Sequence, residues 1–276
     1  MRARLKLIRA RTSRILRQVL TPISQDKLRS ALNRLVGTPR SYLLVHSALA
    51  SCGRFTSGPG GVLHVLREYC GTLCLPTYTY CYPDPVGGAG PLFDPHSTPS
   101  QMGLLTETFR KERDATRSIH ATHSLAMSGP FAKDICADHY RQDAPCGVPS
   151  PFGRLVQRQA SVLMFGVSFH SYTFYHTAED ASGGDYAYEK GAWDRLRVID
   201  ENGQQRDCSS RRQTRDPRRF AECGDLLERA GLAHRVTLGR GTLLFVPDCS
   251  KVHDFLVERL RQTPDFLYQS CARSLS

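Results

Sequence analysis

The 276-residue chain is notable first for what it does not contain. There is no CxxC pair, and its ten cysteines (52, 70, 74, 81, 136, 146, 208, 223, 249 and 271) follow no repeated spacing. A zinc ribbon therefore has no support. No apolar run approaches the ~18 residues needed to span a bilayer. The first residues lack the apolar centre of a secretory signal, which points to the cytoplasm, where thiols stay reduced. Neither a P-loop nor GxGxxG occurs, and no internal repeat is visible.

What remains is an ordinary globular composition, 40% hydrophobic and 23% charged, with a net charge of +11. The length suits one sizeable domain. The positive excess bears on partners and solubility rather than fold. Much of it sits early: seven arginines or lysines fall between Arg2 and Arg17, and no acidic residue precedes Asp26. Leu5, Ile8, Ile15, Leu16, Leu20 and Ile23 follow a rough helical spacing. Residues 1–37 are thus expected to form a basic helical arm, suited to weak contact with an anionic membrane, with the main domain at 38–276. An organellar targeting peptide fits the same Arg-rich stretch.

Beyond the arm, short apolar runs alternate with amphipathic stretches, the pattern of a layered α/β domain. Tyr42-Leu43-Leu44-Val45, Thr72-Leu73-Cys74-Leu75, Ser124-Leu125-Ala126-Met127, residues 161–167 and residues 241–246 read as strands. Helices are expected over 62–69, 101–113, 131–138, 151–158, 171–180, 220–230 and 250–262. Residues 80–101, rich in Pro and Gly, read as a long loop of the kind that serves function. Residues 199–220, with Arg206, Arg211, Arg212, Arg215, Arg218 and Arg219, read as a polar excursion.

Three segments carry the chemistry. His176 and Glu179 stand three apart on one expected helix, just after a buried strand, where α/β sites cluster. A carboxylate there can hold the imidazole in one tautomer and steady its protonated form, the arrangement of a general base. A surface ion pair is the plain alternative. The segment Arg117-Ser118-Ile119-His120-Ala121-Thr122-His123-Ser124 is polar beside an apolar strand. It reads as a ligand-binding loop, as a hydrogen-bonded turn, or as part of a zinc site completed by His46 or Asp94. The segment His46-Ser47-Ala48-Leu49-Ala50-Ser51-Cys52-Gly53 ends the first strand, where amides and hydroxyls can bind phosphate or pantetheine. The turn Gly58-Pro59-Gly60-Gly61 can open a phosphate-binding helix, or serve as turn chemistry alone.

Taken in order, these motifs resemble the aminoglycoside 3-N-acetyltransferase family, from about Tyr42 to Leu260. The likeness runs through Val45-His46-Ser47 with Gly60-Gly61, Gly71-Thr72-Leu73, Leu75-Pro76-Thr77-Tyr78-Thr79, Phe93-Asp94-Pro95, Thr98-Pro99, Met102-Gly103, Arg117-Ser118-Ile119-His120, Ser150-Pro151, Phe165-Gly166-Val167 and His176-Thr177-Ala178-Glu179. The resemblance implies a layered α/β fold with a central mixed sheet flanked by helices, distinct from the GNAT fold, whose Arg-x-x-Gly-x-Gly/Ala loop is absent. It implies transfer of acetyl from acetyl-CoA to an amine of an amino sugar, with His176 as base and Glu179 as its partner. It places the coenzyme near Ser47, Ala48, Leu49, Ala50 and Cys52, with Thr77, Arg117 and Ser118 nearby. The acceptor would meet Tyr78, Asp94, His120, His123 and Tyr172, and no metal is required.

The chain departs from the family pattern at Ala121, where proline is usual, and at Ala48, where serine is usual. Tyr186-Ala187-Tyr188-Glu189-Lys190 resembles relatives of surface-polysaccharide or natural-product pathways. A net positive chain suits a polycationic drug poorly, so the expected acceptor is an amino sugar of a glycan or natural product. Nucleic acid is not an expected partner, and a homodimer is compatible with the sequence. Two rival readings stand beside this one: a zinc hydrolase or deacetylase using His120 and His123, and a non-catalytic relative that binds polyanions.

Overall fold

The computed structural model describes residues 22–79, 81–82, 90–183, 187–214 and 219–267. Its centre is a seven-stranded mixed sheet in the order β4-β5-β2-β1-β6-β10-β9. The strands are β1 (Arg40–Ser47), β2 (Cys70–Pro76), β4 (Thr116–Arg117), β5 (Leu125–Ser128), β6 (Ser161–Phe165), β9 (His234–Leu238) and β10 (Gly241–Val246). The three middle strands β2, β1 and β6 are parallel, and every outer pairing is antiparallel. The layered mixed-sheet α/β architecture implied by the motifs is the one observed.

Alternation along these strands builds two cores, because successive side chains point to opposite faces. Leu44, Cys74, Met127, Val162, Met164 and Leu244 face one layer, which holds the helices Pro151–Gln157, Phe174–Ala181 and Cys249–Gln262. Leu43, Val45, Leu73, Leu163, Phe165 and Phe245 face the other, which holds Gln25–Leu35, Gly58–Arg67 and Leu104–Phe109. The helix starts are written locally. Ser24 accepts a hydrogen bond from the Lys27 amide at 3.2 Å, and Asp248 accepts one from the Ser250 amide at 2.9 Å. Pro59 and Pro151 occupy first-turn positions, where a missing amide proton costs nothing.

Two regions differ from expectation. The helix Gln25–Leu35 buries Leu28, Ala31, Leu32 and Leu35 in the core. Residues 22–37 thus belong to the packed domain; residues 1–21 of the expected arm lie outside the described residues. The supposed excursion at 199–220 contributes one strand, β8 (Gln205–Gln213), to a second sheet in which β7 (Tyr188–Ile199) lies between it and β3 (Leu92–Phe93). Leu196 and Val198 of β7 pack with Phe93, Ala121 and Tyr140 in a small satellite core. Because β8 is largely open on both faces, its apolar signal is too sparse to read as a strand. Arg215 and Arg218 lie outside the described residues.

Candidate active site

The parallel strands β1, β2 and β6 finish at one edge of the sheet, at Ser47, Pro76 and Phe165. The loops that follow them meet there, the usual place for an α/β site. After β6 the chain turns at Gly166, whose φ is +71°; a Cβ there would fall 2.6 Å from the Ala48 carbonyl oxygen. A short turn over Phe169–Ser171 follows, and the helix Phe174–Ala181 begins. Tyr78, from the β2 loop, holds the head of this helix through a 2.7 Å contact between its hydroxyl and Thr173 Oγ1.

One helical turn onward, His176 Nδ1 lies 2.7 Å from Glu179 Oε2. The carboxylate is fully buried, while the imidazole side chain keeps 21% of its surface exposed. A carboxylate accepts only, so the proton sits on Nδ1 and the lone pair on Nε2. Phe220 stands edge-on to the ring, with centroids 5.5 Å apart. A buried partner and an accessible imidazole distinguish this pair from a solvated surface ion pair.

The Arg117 segment proves to be a strut. Arg117 is 9% exposed. Its Nε donates to Thr77 Oγ1 and Ser124 Oγ, each at 3.1 Å, and its Nη2 donates to the Thr77 carbonyl at 2.7 Å. Further bonds reach the carbonyls of Pro95 and Thr98, and the guanidinium lies over the Phe93 ring. Burial pulls its pKa down to about 10. Thr77 and Ser118 are equally enclosed. The Ser118 hydroxyl donates to His139 Nδ1 at 2.9 Å, and the His139 Nε2 proton goes to the Pro145 carbonyl at 2.8 Å. Arg117, Ser118 and Thr77, expected near the coenzyme, have polar groups engaged in hydrogen bonds within the fold. The sequence reading missed His139, since an isolated histidine in a polar loop carries no spacing signal.

His120 is also internal. Its Nδ1 accepts from the amides of Thr122 and His123 at 3.2 and 3.1 Å, and its ring lies 4.6 Å from that of His139. Burial pushes His120 well below the ordinary histidine range, His123 to about 3 and His139 to about 4. These rings are therefore neutral at physiological pH. Among the described residues, no group of three His, Cys, Asp or Glu side chains is placed to hold a metal. The zinc-hydrolase reading lacks its donor set, and His120 Nδ1 is already engaged.

Asp94 closes its own turn, accepting from the His96 amide at 2.9 Å and the Ser97 hydroxyl at 2.7 Å. Tyr172 is completely buried among Phe169, Phe174 and Tyr175. It is a core residue, not an acceptor contact. Cys52 is buried as well, its thiol pushed up to about 11 by burial. Ser47, Ala48, Leu49 and Ala50 remain partly or fully open at the strand edge. Behind them the buried His46 Nε2 has no hydrogen-bond partner among the described residues.

Of the expected acceptor contacts, His123 does face open space. It packs on Tyr78 with centroids 5.0 Å apart, and it is near enough to His176 that a charge there would disfavour charge on His123. It lines a cavity of about 470 Å³ with Tyr82, Thr122 and Pro145. The opposite wall comes from Glu189, Asp194 and Leu196 of β7 and from residues 210–214 of β8 and its end. That wall is tied to the His176 helix, because Arg211 Nη2 donates to Asp180 Oδ1 at 2.7 Å. The Arg-rich stretch thus builds the cavity. Arg206, Arg211 and Arg212 are ion-paired with Asp200, Asp180 and Asp194, which weighs against a polyanion-binding face.

A mixed α/β sheet with a buried-carboxylate histidine dyad at its parallel edge and an adjoining cavity defines a group-transfer site. Residues 44–261 match the family model for aminoglycoside 3-N-acetyltransferase. Aminoglycoside N(3)-acetyltransferase VII of Streptomyces paromomycinus is 27% identical over 246 residues, 79% of this chain and 85% of that protein. Aminoglycoside N(3)-acetyltransferase IV of a Salmonella species is 31% identical over 147 residues; that match covers 51% of this chain and 53%, about half, of the relative. The crystal structure of YokD from Bacillus subtilis superposes with a TM-score of 0.77 at 22% identity, covering 92% of this chain and 98% of that one. The chain belongs to the aminoglycoside 3-N-acetyltransferase family. That class comprises acyltransferases that use acetyl-CoA as cosubstrate.

Proposed function

We propose that this protein transfers acetyl from acetyl-CoA to an amine of an amino sugar in a ternary complex, with His176 as general base. The observation that carries the reading is the 2.7 Å bond from the accessible His176 ring to the fully buried Glu179 carboxylate. The open residues 47–50, with the unpartnered His46 Nε2 behind them, offer polar groups suited to pantetheine amides at the same sheet edge.

Acetyl-CoA supplies the acyl group as a thioester. His176 Nε2 takes a proton as the neutral amine attacks the thioester carbonyl carbon; a C–N bond forms, the C–S bond breaks, and the proton passes on to the departing thiolate. Glu179 keeps the imidazole turned toward the amine and stabilises the imidazolium. His123 borders the acceptor cavity, with Tyr78 packed against its ring. The natural acceptor is an amino sugar of a glycan or natural product, acetylated in the cytoplasm.

His176→Ala is expected to lower turnover ~100- to 10,000-fold while coenzyme affinity, read by calorimetry, stays within about threefold. Turnover like that of the unaltered protein would refute the assignment.

A further inference from the structure

His123 borders the cavity, and its neighbours fix which of its nitrogens carries the proton. The Thr122 hydroxyl lies 2.7 Å from His123 Nδ1 and 3.3 Å from His120 Nδ1. The His120 nitrogen already accepts from the amides of Thr122 and His123. The single hydroxyl proton therefore goes to His123 Nδ1, along the shorter and uncontested contact. Burial pulls the His123 pKa to about 3, so the ring is neutral. A neutral imidazole that accepts at Nδ1 carries its proton on Nε2. That nitrogen has no partner among the described residues, and the ring is only partly buried.

Tyr78 fixes this ring relative to the dyad. Its own ring packs on His123, and its hydroxyl contacts Thr173 Oγ1 at the head of the His176 helix. Two imidazoles of opposite tautomer thus serve one site. His176 carries a lone pair on Nε2, and His123 carries an N–H there. An N–H meets an oxygen and offers nothing to an ammonium. Since His123 feels charge on His176, an oxygen that it meets belongs beside the attacking amine rather than at a remote end of the acceptor.

We propose that His123 donates a hydrogen bond from Nε2 to a hydroxyl neighbouring the acceptor amine, and thereby aligns that amine with His176. This rests on reading the cavity as the acceptor side of the N-acetyltransferase. The acceptor class it selects is a vicinal amino alcohol, an amine with a free hydroxyl on the adjoining carbon. His123 touches the acceptor but moves no proton.

The tautomer is read first, by NMR of the protein labelled with 15N-histidine, with the His123 signals assigned by their loss in His123→Phe. His123 should show a protonated Nε2 and a bare Nδ1 at neutral pH; the reverse would overturn the proposal. The second arm compares trans-2-aminocyclohexanol with cyclohexylamine, by calorimetric binding and separately by thiol release from acetyl-CoA. The two amines differ in basicity, so the readout is the change in their preference ratio on substitution, in which that difference cancels. His123→Phe keeps a ring against Tyr78 and should lower the preference for the amino alcohol about tenfold. His123→Gln, which restores a donor, should keep it within about threefold. Thr122→Val frees Nδ1 and should lower it about threefold, which tests the idea even if His123→Phe fails to fold. A preference that survives both His123→Phe and Thr122→Val, or an unaltered protein that binds neither amine, would overturn the proposal. The expected binding shifts without thiol release would instead overturn the transferase reading alone.

Discussion

At the scale of single residues, burial decides which histidine acts. His120, His123 and His139 are held neutral by desolvation, whereas the His176 side chain keeps a fifth of its surface in contact with solvent and has a carboxylate behind it. His120 and His139 use Nδ1 as an acceptor within the fold, so their cost is offset by hydrogen bonds. Their depressed pKa values have a consequence for stability. A histidine with a folded pKa of about 3 or 4 binds a proton in the unfolded chain first, near pH 6.5. Between those values the unfolded state holds more protons, so stability rises with pH and is lost as pH falls. Each such histidine contributes up to about 1.4 kcal/mol per pH unit in that window. Urea unfolding is expected to show a steady loss from pH 6.5 to pH 4.5, and a flat profile there would contradict the burial of these rings.

At the scale of elements, Arg117 links parts distant in sequence. It joins the end of β2, through Thr77, to the loop before β5, through Ser124, and to the 95–98 turn. That clamp holds the loop carrying Tyr78, which in turn steadies the head of the His176 helix. Removing one partner from such a network leaves buried acceptors without donors. Arg117→Ala should cost about 3–5 kcal/mol in urea unfolding, while the folded fraction keeps its coenzyme affinity. A large loss of coenzyme affinity without loss of stability would restore Arg117 to the coenzyme site. The strand-end position of the dyad was legible because buried β-strands and the His-x-x-Glu spacing are local signals. The Arg117 clamp was not, since a polar cluster reads alike whether its groups face a ligand or one another. Tyr172, an aromatic near the dyad, is fully buried among other rings, and no local signal in the sequence sets it apart from a cavity residue.

For the whole molecule, the central sheet was readable from its apolar runs, and the satellite sheet was not. Strands β7 and β8 form a local hairpin but bury few apolar residues, and β3 joins β7 from far along the chain. The cavity wall therefore came from a stretch that looked like an excursion. The net charge also divides unevenly. Seven basic residues lie within residues 1–21, with no acidic residue among them, so most of the +11 excess sits outside the described domain. The overall charge thus says little about the acceptor. Among the described residues, no helix is long and apolar enough to cross a membrane.

The dyad joins these scales, because the sheet edge places it, the clamped loop orients it, and the buried carboxylate gives the imidazole its direction. A double-mutant cycle on acetyl transfer tests it most directly. If Glu179 acts only through His176, Glu179→Gln lowers kcat/KM strongly in the unaltered protein but changes it by less than about threefold in a His176→Ala background. Losses that multiply, or a Glu179→Gln variant with full activity, would contradict the dyad.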